Sequence, residues 1–138
     1  MENKYLYKLV LSTVMFNSEK KILLGKRSMD ENVLPGYWGL PGGKAEYRES
    51  ISDFLEVELK REIMEEVGVN IENIKYLESH LNGPSGKVNI CFISYIKEGD
   101  IPEALDETEE VGWFSLEEAK ELQLTPNTIE RIELALKK

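Results

Sequence analysis

The chain has 138 residues, of which 41% are hydrophobic and 31% charged, and its net charge is −9 at pH 7. This length and balance indicate a single globular domain over residues 1–138 and exclude an intrinsically disordered chain. No apolar run approaches the roughly 18 residues of a membrane span, so we expect no membrane partner.

The negative charge excludes nucleic acid as a bulk electrostatic partner, because no basic face is available. It still permits a small phosphorylated ligand, provided that local cations or backbone N–H groups offset the repulsion. The first residues, MENKYLYKLV, lack the apolar core and cleavage site of a signal peptide, so we expect a cytoplasmic protein. The one cysteine, Cys91, excludes an internal disulfide and a cysteine zinc cluster.

The first third of the chain reads as a β-hairpin followed by a loop. Residues 5–16 are rich in β-branched and aromatic side chains and predict a strand, and residues 21–24 begin a second strand. A polar loop is predicted over 28–37. The short apolar segment 38–40 then precedes Pro-Gly-Gly at 41–43, a strong breaker of regular structure.

A central helix is predicted over 51–67. Ser50 and Asp53 fit the N-cap and N3 positions of a capping box. Gly68 suits the left-handed residue that ends many helices. The apolar residues recur every four positions, as a helix requires: Ile51, Leu55, Leu59, Ile63 and Val67.

The second half predicts three more strands and two helices. The strands are expected over 74–81, 87–97 and 112–114. A capping box at 115–118 opens a short helix, and Thr-Pro at 125–126 opens a last helix that runs to about residue 136. Strands with helices between and behind them indicate an α/β layered domain with a mixed sheet.

Three glutamates crowd one face of the central helix. Glu62, Glu65 and Glu66 stand at i, i+3 and i+4, within an arc of about 100°, and Glu58 falls inside the same arc. Like charges one turn apart destabilise a helix, and the negative end of the helix dipole disfavours them further. The arc also overlaps the edge of the apolar stripe, so we do not expect all of these carboxylates to point freely into water.

Two readings of this acidic face are open. A divalent cation such as Mg²⁺ or Mn²⁺ prefers oxygen ligands and would use carboxylates one helical turn apart. Alternatively, the face is simply solvated, with Lys60 and Arg61 as partial counterions.

The residues around the helix resemble the Nudix box, G-x5-E-x7-R-E-U-x-E-E-x-G-U, where U is apolar. The matching residues are Gly43, Glu49, Arg61, Glu62, Glu65, Glu66, Gly68 and Val69. The flanking segments LLGKR and EEVGWFSLEEAKEL are also similar to those of the family. One spacing differs, because eleven residues (50–60) separate Glu49 from Arg61 where the family has seven. The extra four residues either add a helical turn or lengthen the loop and put Asp53 in the place of Glu49, which leaves the role of Glu49 open.

The resemblance implies an α/β/α sandwich and a hydrolase that cleaves a nucleoside diphosphate derivative with Mg²⁺ or Mn²⁺, through water attack on phosphorus. It assigns metal binding to Glu62, Glu65, Glu66 and the carbonyl of Gly42. Arg61 would orient the glutamates through charge-assisted hydrogen bonds. The general base would be one of the three glutamates or a glutamate from a later loop.

Further candidates flank these residues. Three residues are candidates for substrate binding, the first two through phosphates and the third by stacking on a base or, alternatively, as core: Arg27, Lys44 and Trp38. Three glutamates of the later acidic run are candidates for an additional base or metal ligand: Glu107, Glu109 and Glu110.

The function expected from the resemblance is a nucleoside triphosphate pyrophosphohydrolase. The alternatives are an ADP-ribose or dinucleoside polyphosphate hydrolase, and a catalytically disabled nucleotide-binding module. A diphosphate isomerase of the same fold would need a catalytic cysteine and a histidine metal site, which one cysteine and one histidine supply poorly. No pattern in the loops 28–37 and 82–87 identifies a base or sugar, and a homodimer is the expected assembly.

Overall fold

The computed structural model describes residues 5–138, which form one mixed β-sheet with helices on both faces. The strands are β1 (Lys8–Phe16), β2 (Ile22–Arg27), β3 (Trp38–Gly39), β4 (Gly42–Lys44), β5 (Ile71–Asn82), β6 (Lys87–Ile96) and β7 (Thr108–Phe114). The helices are α1 (Phe54–Val67), α2 (Leu116–Ala119) and α3 (Thr128–Leu136). Over residues 5–138, no helix is long and apolar enough to cross a membrane.

The sheet is built around β1. Its main path runs β3-β2-β1-β6-β5, with β4 paired to β1 and β7 paired to β2. The β1–β6 pair is parallel and the other pairs are antiparallel. This arrangement confirms the predicted mixed sheet.

Alternating side chains of the central strands feed two separate cores. Leu11 and Met15 of β1 belong to the core under α1, together with Leu59 and Ile63 of the helix. Val14, one step out of phase, belongs to the opposite core, which α2 and α3 cover. Because a strand alternates its side chains between the two faces, one sheet serves both layers. The predicted α/β/α sandwich is therefore confirmed.

The N-terminus of α1 differs from the prediction. The helix begins at Phe54, its N-cap residue is Asp53, and no side chain caps it. Asp53 has a φ of 54°, in the left-handed region, so the helix cannot extend back through it. Ser50 and Ile51 are consequently outside the helix and exposed, and the predicted capping box is wrong. The predicted C-terminus is confirmed, because Gly68 has a φ of 69° and closes the helix.

Other boundaries also moved. β7 begins at Thr108 rather than at residue 112, because β2 pairs with it over its whole length. α3 begins at Thr128 with Asn127 as its N-cap residue, whereas Thr125 bonds the Thr128 hydroxyl instead of capping the helix. β1 begins at Lys8 and β5 at Ile71, each three residues from its predicted start. The capping box of α2, formed by Ser115 and Glu118, is present as predicted.

Candidate active site

A cleft of about 930 Å³ lies where β4, the C-terminal half of α1 and the segment before β7 meet. All three glutamates of the acidic face line it. Its other charged lining residues include Arg27, Lys44, Glu46, Asp106 and Glu107. The cleft thus gathers, from four separate parts of the chain, most of the residues that the sequence singled out.

Two glycines allow β4 to lie tightly between β1 and α1. A Cβ atom on Gly42 would stand 1.9 Å from the carbonyl oxygen of Leu11 on the neighbouring strand. A Cβ atom on Gly43 would stand 2.0 Å from Oε2 of Glu62. At Gly42 only a bare backbone fits, whereas a side chain at Gly43 would have to displace the Glu62 carboxylate. The consequence is that the Glu62 carboxylate can rest directly against β4.

Arg61 is the centre of the carboxylate network on α1. Its Nη2 donates to Glu62 Oε1 (2.7 Å) and its Nη1 to Glu65 Oε1 (2.8 Å). Nη2 also donates to Glu58 Oε2 (2.8 Å). The hydrogen bond with Glu58 raises the pKa of Arg61 further above its ordinary value. One guanidinium group therefore orients three carboxylates, which offsets the repulsion that the sequence spacing implied.

Glu66 is in a different electrostatic situation. Burial raises the pKa of its carboxyl to about 8, against a hydrogen bond from the Gly42 backbone that lowers it. The negative charges of Glu62 and Asp106 raise it further. Over residues 5–138 no lysine or arginine forms an ion pair with Glu66. A carboxylate so placed in a cleft favours a cation beside it.

The donor set fits a hard divalent cation. Carboxylate oxygens are the ligands that Mg²⁺ and Mn²⁺ prefer, and three carboxylates line one wall of the cleft. In the part of the chain that the structure describes, no three acidic, histidine or cysteine side chains already converge on one point. Arg61 holds Glu62 and Glu65, whereas Glu66 accepts a hydrogen bond from the Gly42 backbone. Glu62, like Glu66, has its pKa raised by burial.

The residues predicted for substrate binding fall in different places. Arg27 lines the cleft, where its Nε donates to the Val33 carbonyl (2.9 Å) and its Nη2 to Glu31 Oε1 (3.1 Å). Lys44 also lines the cleft and is exposed. Trp38 is buried and packs edge-on against Phe114, with ring centroids 5.3 Å apart. Trp38 is not part of the cleft wall, so the structure favours the core role for it.

The later acidic run divides between the cleft and the sheet. Glu107 lines the cleft, and a hydrogen bond with Glu31 raises the pKa of its carboxyl. Glu109 and Glu110 belong to β7 and do not line the cleft; Glu109 pairs with Lys26 at 3.4 Å. The sequence predicted this strand only over 112–114, so Glu109 and Glu110 were left outside it. The sequence did not identify Asp106 as a candidate, yet it lines the cleft and its negative charge raises the pKa of Glu66.

The chain matches the NUDIX domain family over residues 6–135. It belongs to the Nudix family. It is 31% identical over 108 residues to the 8-oxo-dGDP phosphatase NUDT18 of Danio rerio, a match that covers 76% of this chain and 31% of that protein. It is 38% identical over 71 residues to the mitochondrial NAD(P)H pyrophosphatase NUDT13 of Mus musculus, covering 49% of this chain and 20% of that protein. The chain therefore spans a third or less of the length of these relatives.

Solved Nudix structures resemble this domain over nearly its whole length. The NUDIX domain of Shewanella oneidensis NrtR, complexed with ADP ribose, has a TM-score of 0.77 and 22% identity, covering 99% of this chain and 92% of that one. An ADP-ribose pyrophosphatase from Streptococcus suis has a TM-score of 0.72 and 25% identity, covering 96% and 91%. A MutT NUDIX hydrolase from Burkholderia pseudomallei has a TM-score of 0.70 and 26% identity, covering 94% and 98%.

The altered spacing of this Nudix box now has a structural description. Because α1 begins at Phe54, residues 50–53 lie in the loop, and Asp53 stands at the family's distance from Arg61. Asp53 and Glu49 are both exposed, and neither lines the cleft. The buried partner of Arg61 is instead Glu58. Its membership of the acidic arc was the sequence signal that could have identified it.

Proposed function

We propose that this Nudix domain is a metal-dependent hydrolase that cleaves the diphosphate linkage of a nucleoside diphosphate derivative, with a nucleoside triphosphate as the first candidate. One observation carries the proposal: Glu62, Glu65 and Glu66 line a single cleft together with cationic side chains that include Arg27 and Lys44. The carboxylates can bind a metal cation, and the cationic side chains can pair with phosphate groups of a substrate. This combination suits a phosphoanhydride better than an uncharged ligand.

Each residue has a role in this proposal. Glu62, Glu65 and Glu66, with the carbonyl of Gly42, would hold Mg²⁺ or Mn²⁺. That ion, when bound, lowers the pKa of a water and neutralises charge on phosphate oxygens. Arg61 keeps Glu62 and Glu65 in place through its two hydrogen bonds. Arg27 and Lys44 contact the phosphates of the substrate.

The general base is either one of the three box glutamates or Glu107. Glu107 is the one glutamate of the later acidic run that lines the cleft. Glu107 is exposed, and a hydrogen bond with Glu31 raises the pKa of its carboxyl. A base with this property is closer to the optimum for proton transfer near neutral pH.

Two relatives support particular substrates. The NUDT18 relative is named an 8-oxo-dGDP phosphatase, which supports an oxidised purine nucleotide. The Streptococcus suis relative, matched over most of both chains, is named an ADP-ribose pyrophosphatase and supports ADP-ribose as the second candidate. Both molecules carry a diphosphate on a nucleoside, although the nucleosides differ, so the same cleft chemistry would serve either.

The test is the release of phosphate, pyrophosphate and nucleotide from a panel of diphosphates with Mg²⁺, with Mn²⁺ and with a chelator. The panel contains ordinary and oxidised nucleoside triphosphates and diphosphates, ADP-ribose, NADH and dinucleoside polyphosphates. Cleavage of one class that stops with chelator is the expected result. No cleavage of any of them, with Mn²⁺ still bound in the cleft, would contradict hydrolysis and favour a nucleotide-binding module.

A further inference from the structure

Glu58 is a buried charge that the Nudix box does not account for. Its side chain has no exposed surface. It accepts hydrogen bonds from Arg61 Nη2 (2.8 Å) and Nε (3.3 Å), and another from the backbone N–H of Glu46 (3.1 Å). Arg48 Nε donates a further short hydrogen bond to its other oxygen. Burying a carboxylate is costly unless donors of this kind surround it, so the site is built around an ionised Glu58.

The contacts of Glu58 fix the guanidinium of Arg61 from its buried side. Two of the three Arg61 nitrogens, Nε and Nη2, point at Glu58 Oε2. While these bonds hold one edge of the guanidinium, Nη2 also donates to Glu62 (2.7 Å) and Nη1 donates to Glu65 (2.8 Å). An arginine without this anchor would still be attracted to both carboxylates. It would then have several geometries available to it instead of one.

The loop between β4 and α1 is anchored to the same carboxylate. Glu46 and Arg48 both bond Glu58, and the Glu46 carboxylate lies 3.7 Å from Arg61 Nη1. These residues precede the four extra positions of the box. In this longer segment the loop closes onto α1 through Glu58, while Glu49 is exposed to solvent.

We propose that Glu58 is a positioning residue of this site, which sets, through Arg61, how Glu62 and Glu65 are presented to a divalent cation. The inference rests on the proposed function of the cleft. It concerns cation binding rather than hydrolysis, so it can be tested even if no substrate is found.

The test measures Mn²⁺ affinity by titration of the whole chain, with circular dichroism to check folding. Glu58→Gln keeps the size of the side chain and removes its charge, and we expect the Mn²⁺ dissociation constant to rise about tenfold or more, as for other partners of metal ligands. The matched control is Glu56→Gln, an exposed glutamate of the same helix, for which we expect no measurable change. Glu58→Gln that binds Mn²⁺ as tightly as the unmodified chain would overturn the inference. An equal loss in Glu49→Gln would also overturn it.

Arg48→Gln separates positioning from simple charge. Removing a cation near the cleft strengthens Mn²⁺ binding if only net charge matters, whereas releasing the outer anchor of Glu58 weakens it if positioning matters. We expect weaker binding, and unchanged or tighter binding would overturn the inference. Because the Arg48 side chain is 38% exposed, this variant should fold even if Glu58→Gln does not, and it then decides the question alone.

If the panel reveals a substrate, the kinetics add a second readout. A positioning role predicts that Glu58→Gln raises the Mn²⁺ concentration needed for half-maximal rate, while KM for substrate at saturating Mn²⁺ changes little. If no substrate in the panel is cleaved but Glu58→Gln still binds Mn²⁺ more weakly, only the proposed hydrolase activity is contradicted. A cleaved substrate with no such effect would contradict only the role of Glu58.

Discussion

Gly43 shows how a single missing Cβ atom can control a functional carboxylate. Alanine at this position would place Cβ 2.0 Å from Glu62 Oε2, and its three nearest neighbours are all atoms of the Glu62 side chain. Glu62 can move, so we expect Gly43→Ala to fold but to lose about 100-fold in turnover, the order of loss that a misplaced catalytic group produces. Turnover and thermal unfolding measured together check this.

The control for this substitution is Gly83→Ala. Gly83 lies in the β5–β6 turn, and an added Cβ there meets nothing within 4 Å. It should therefore keep both stability and turnover. Gly43→Ala with normal turnover would show that Glu62 has no fixed place in the reaction.

Glu58 predicts a specific pH dependence of stability. The hydrogen bond from Arg61 lowers the pKa of Glu58 from 4.5 to about 2 in the folded chain. A carboxyl with a lowered folded pKa contributes its stabilisation fully above pH 4.5 and loses it as the pH falls towards 2. Glu58→Gln lacks this contribution at every pH. Its deficit in free energy of unfolding should therefore shrink between about pH 6 and about pH 3.

Urea unfolding of both proteins across that range measures the effect. The metal-free proteins are compared, so that cation binding does not enter. A deficit that stays constant with pH would mean that Glu58 is not ionised in the folded chain.

At the residue scale, the sequence predicts which side chains share a helix face better than it predicts their hydrogen-bond partners. The spacing of Glu62, Glu65 and Glu66 follows from helix geometry, so their common face was predictable. The hydrogen-bond partners of Arg61 depend on how the loop before α1 packs against the helix, and the local sequence does not specify that packing. For the same reason Glu58 was recognised as part of the arc but not as the buried member. Trp38 was ambiguous because stacking and packing require the same side chain.

Helix α1 ends at a glycine whose conformation other residues adopt only at a cost. Gly68 has a φ of 69°, and its N–H bonds the carbonyls of Ile63 and Met64. An added Cβ would also approach Leu105 Cδ1 to 3.2 Å. We expect Gly68→Ala to lower the free energy of unfolding by about 1–2 kcal/mol, measured by urea unfolding. A loss no larger than that of Gly83→Ala would contradict this reading of the helix end.

The two ends of α1 differ in how much local sequence determines them. Glycine after the apolar stripe is a strong local rule, and the C-terminus was predicted to the residue. Serine at position 50 also satisfied a local rule, yet the helix begins four residues later. Loop contacts with Glu58 and a left-handed Asp53 outweigh the cap, which contributes only about 1 kcal/mol.

On the scale of the whole molecule, net charge and cleft chemistry lead to one thermodynamic expectation. The chain carries a charge of −9, and its cleft holds partly buried carboxylates. A cation that binds the folded state alone stabilises it by about 2.7 kcal/mol at a concentration 100 times its dissociation constant. We therefore expect Mn²⁺ to raise the Tm and a chelator to reverse the rise.

The matched control is a variant in which Glu62, Glu65 and Glu66 are all glutamine. This variant should show no rise in Tm with Mn²⁺. An equal rise would mean that the cation binds elsewhere on the acidic surface.

The layered architecture was predictable because its signals are long-range averages. Apolar runs in the strands and a four-residue stripe in the helix specify which faces are buried and predict an α/β layered domain, whereas the α/β/α sandwich was implied by the resemblance to the Nudix box. The pairing of β7 with β2 was not predictable from its alternating acidic residues. That pairing decides that Glu107 reaches the cleft while Glu109 and Glu110 stay in the sheet.

The most direct test of the account is the metal-dependent turnover of Glu66→Gln beside that of Glu56→Gln, with the substrate that the panel identifies. Glu66 is the partly buried box glutamate that forms no ion pair with a lysine or arginine among residues 5–138, and Glu56 is an exposed residue of the same helix. We predict a loss of about 100-fold or more for Glu66→Gln, with the fold intact, and no loss for Glu56→Gln. Turnover of Glu66→Gln equal to that of the unmodified chain would contradict the assignment of this cleft as the active site.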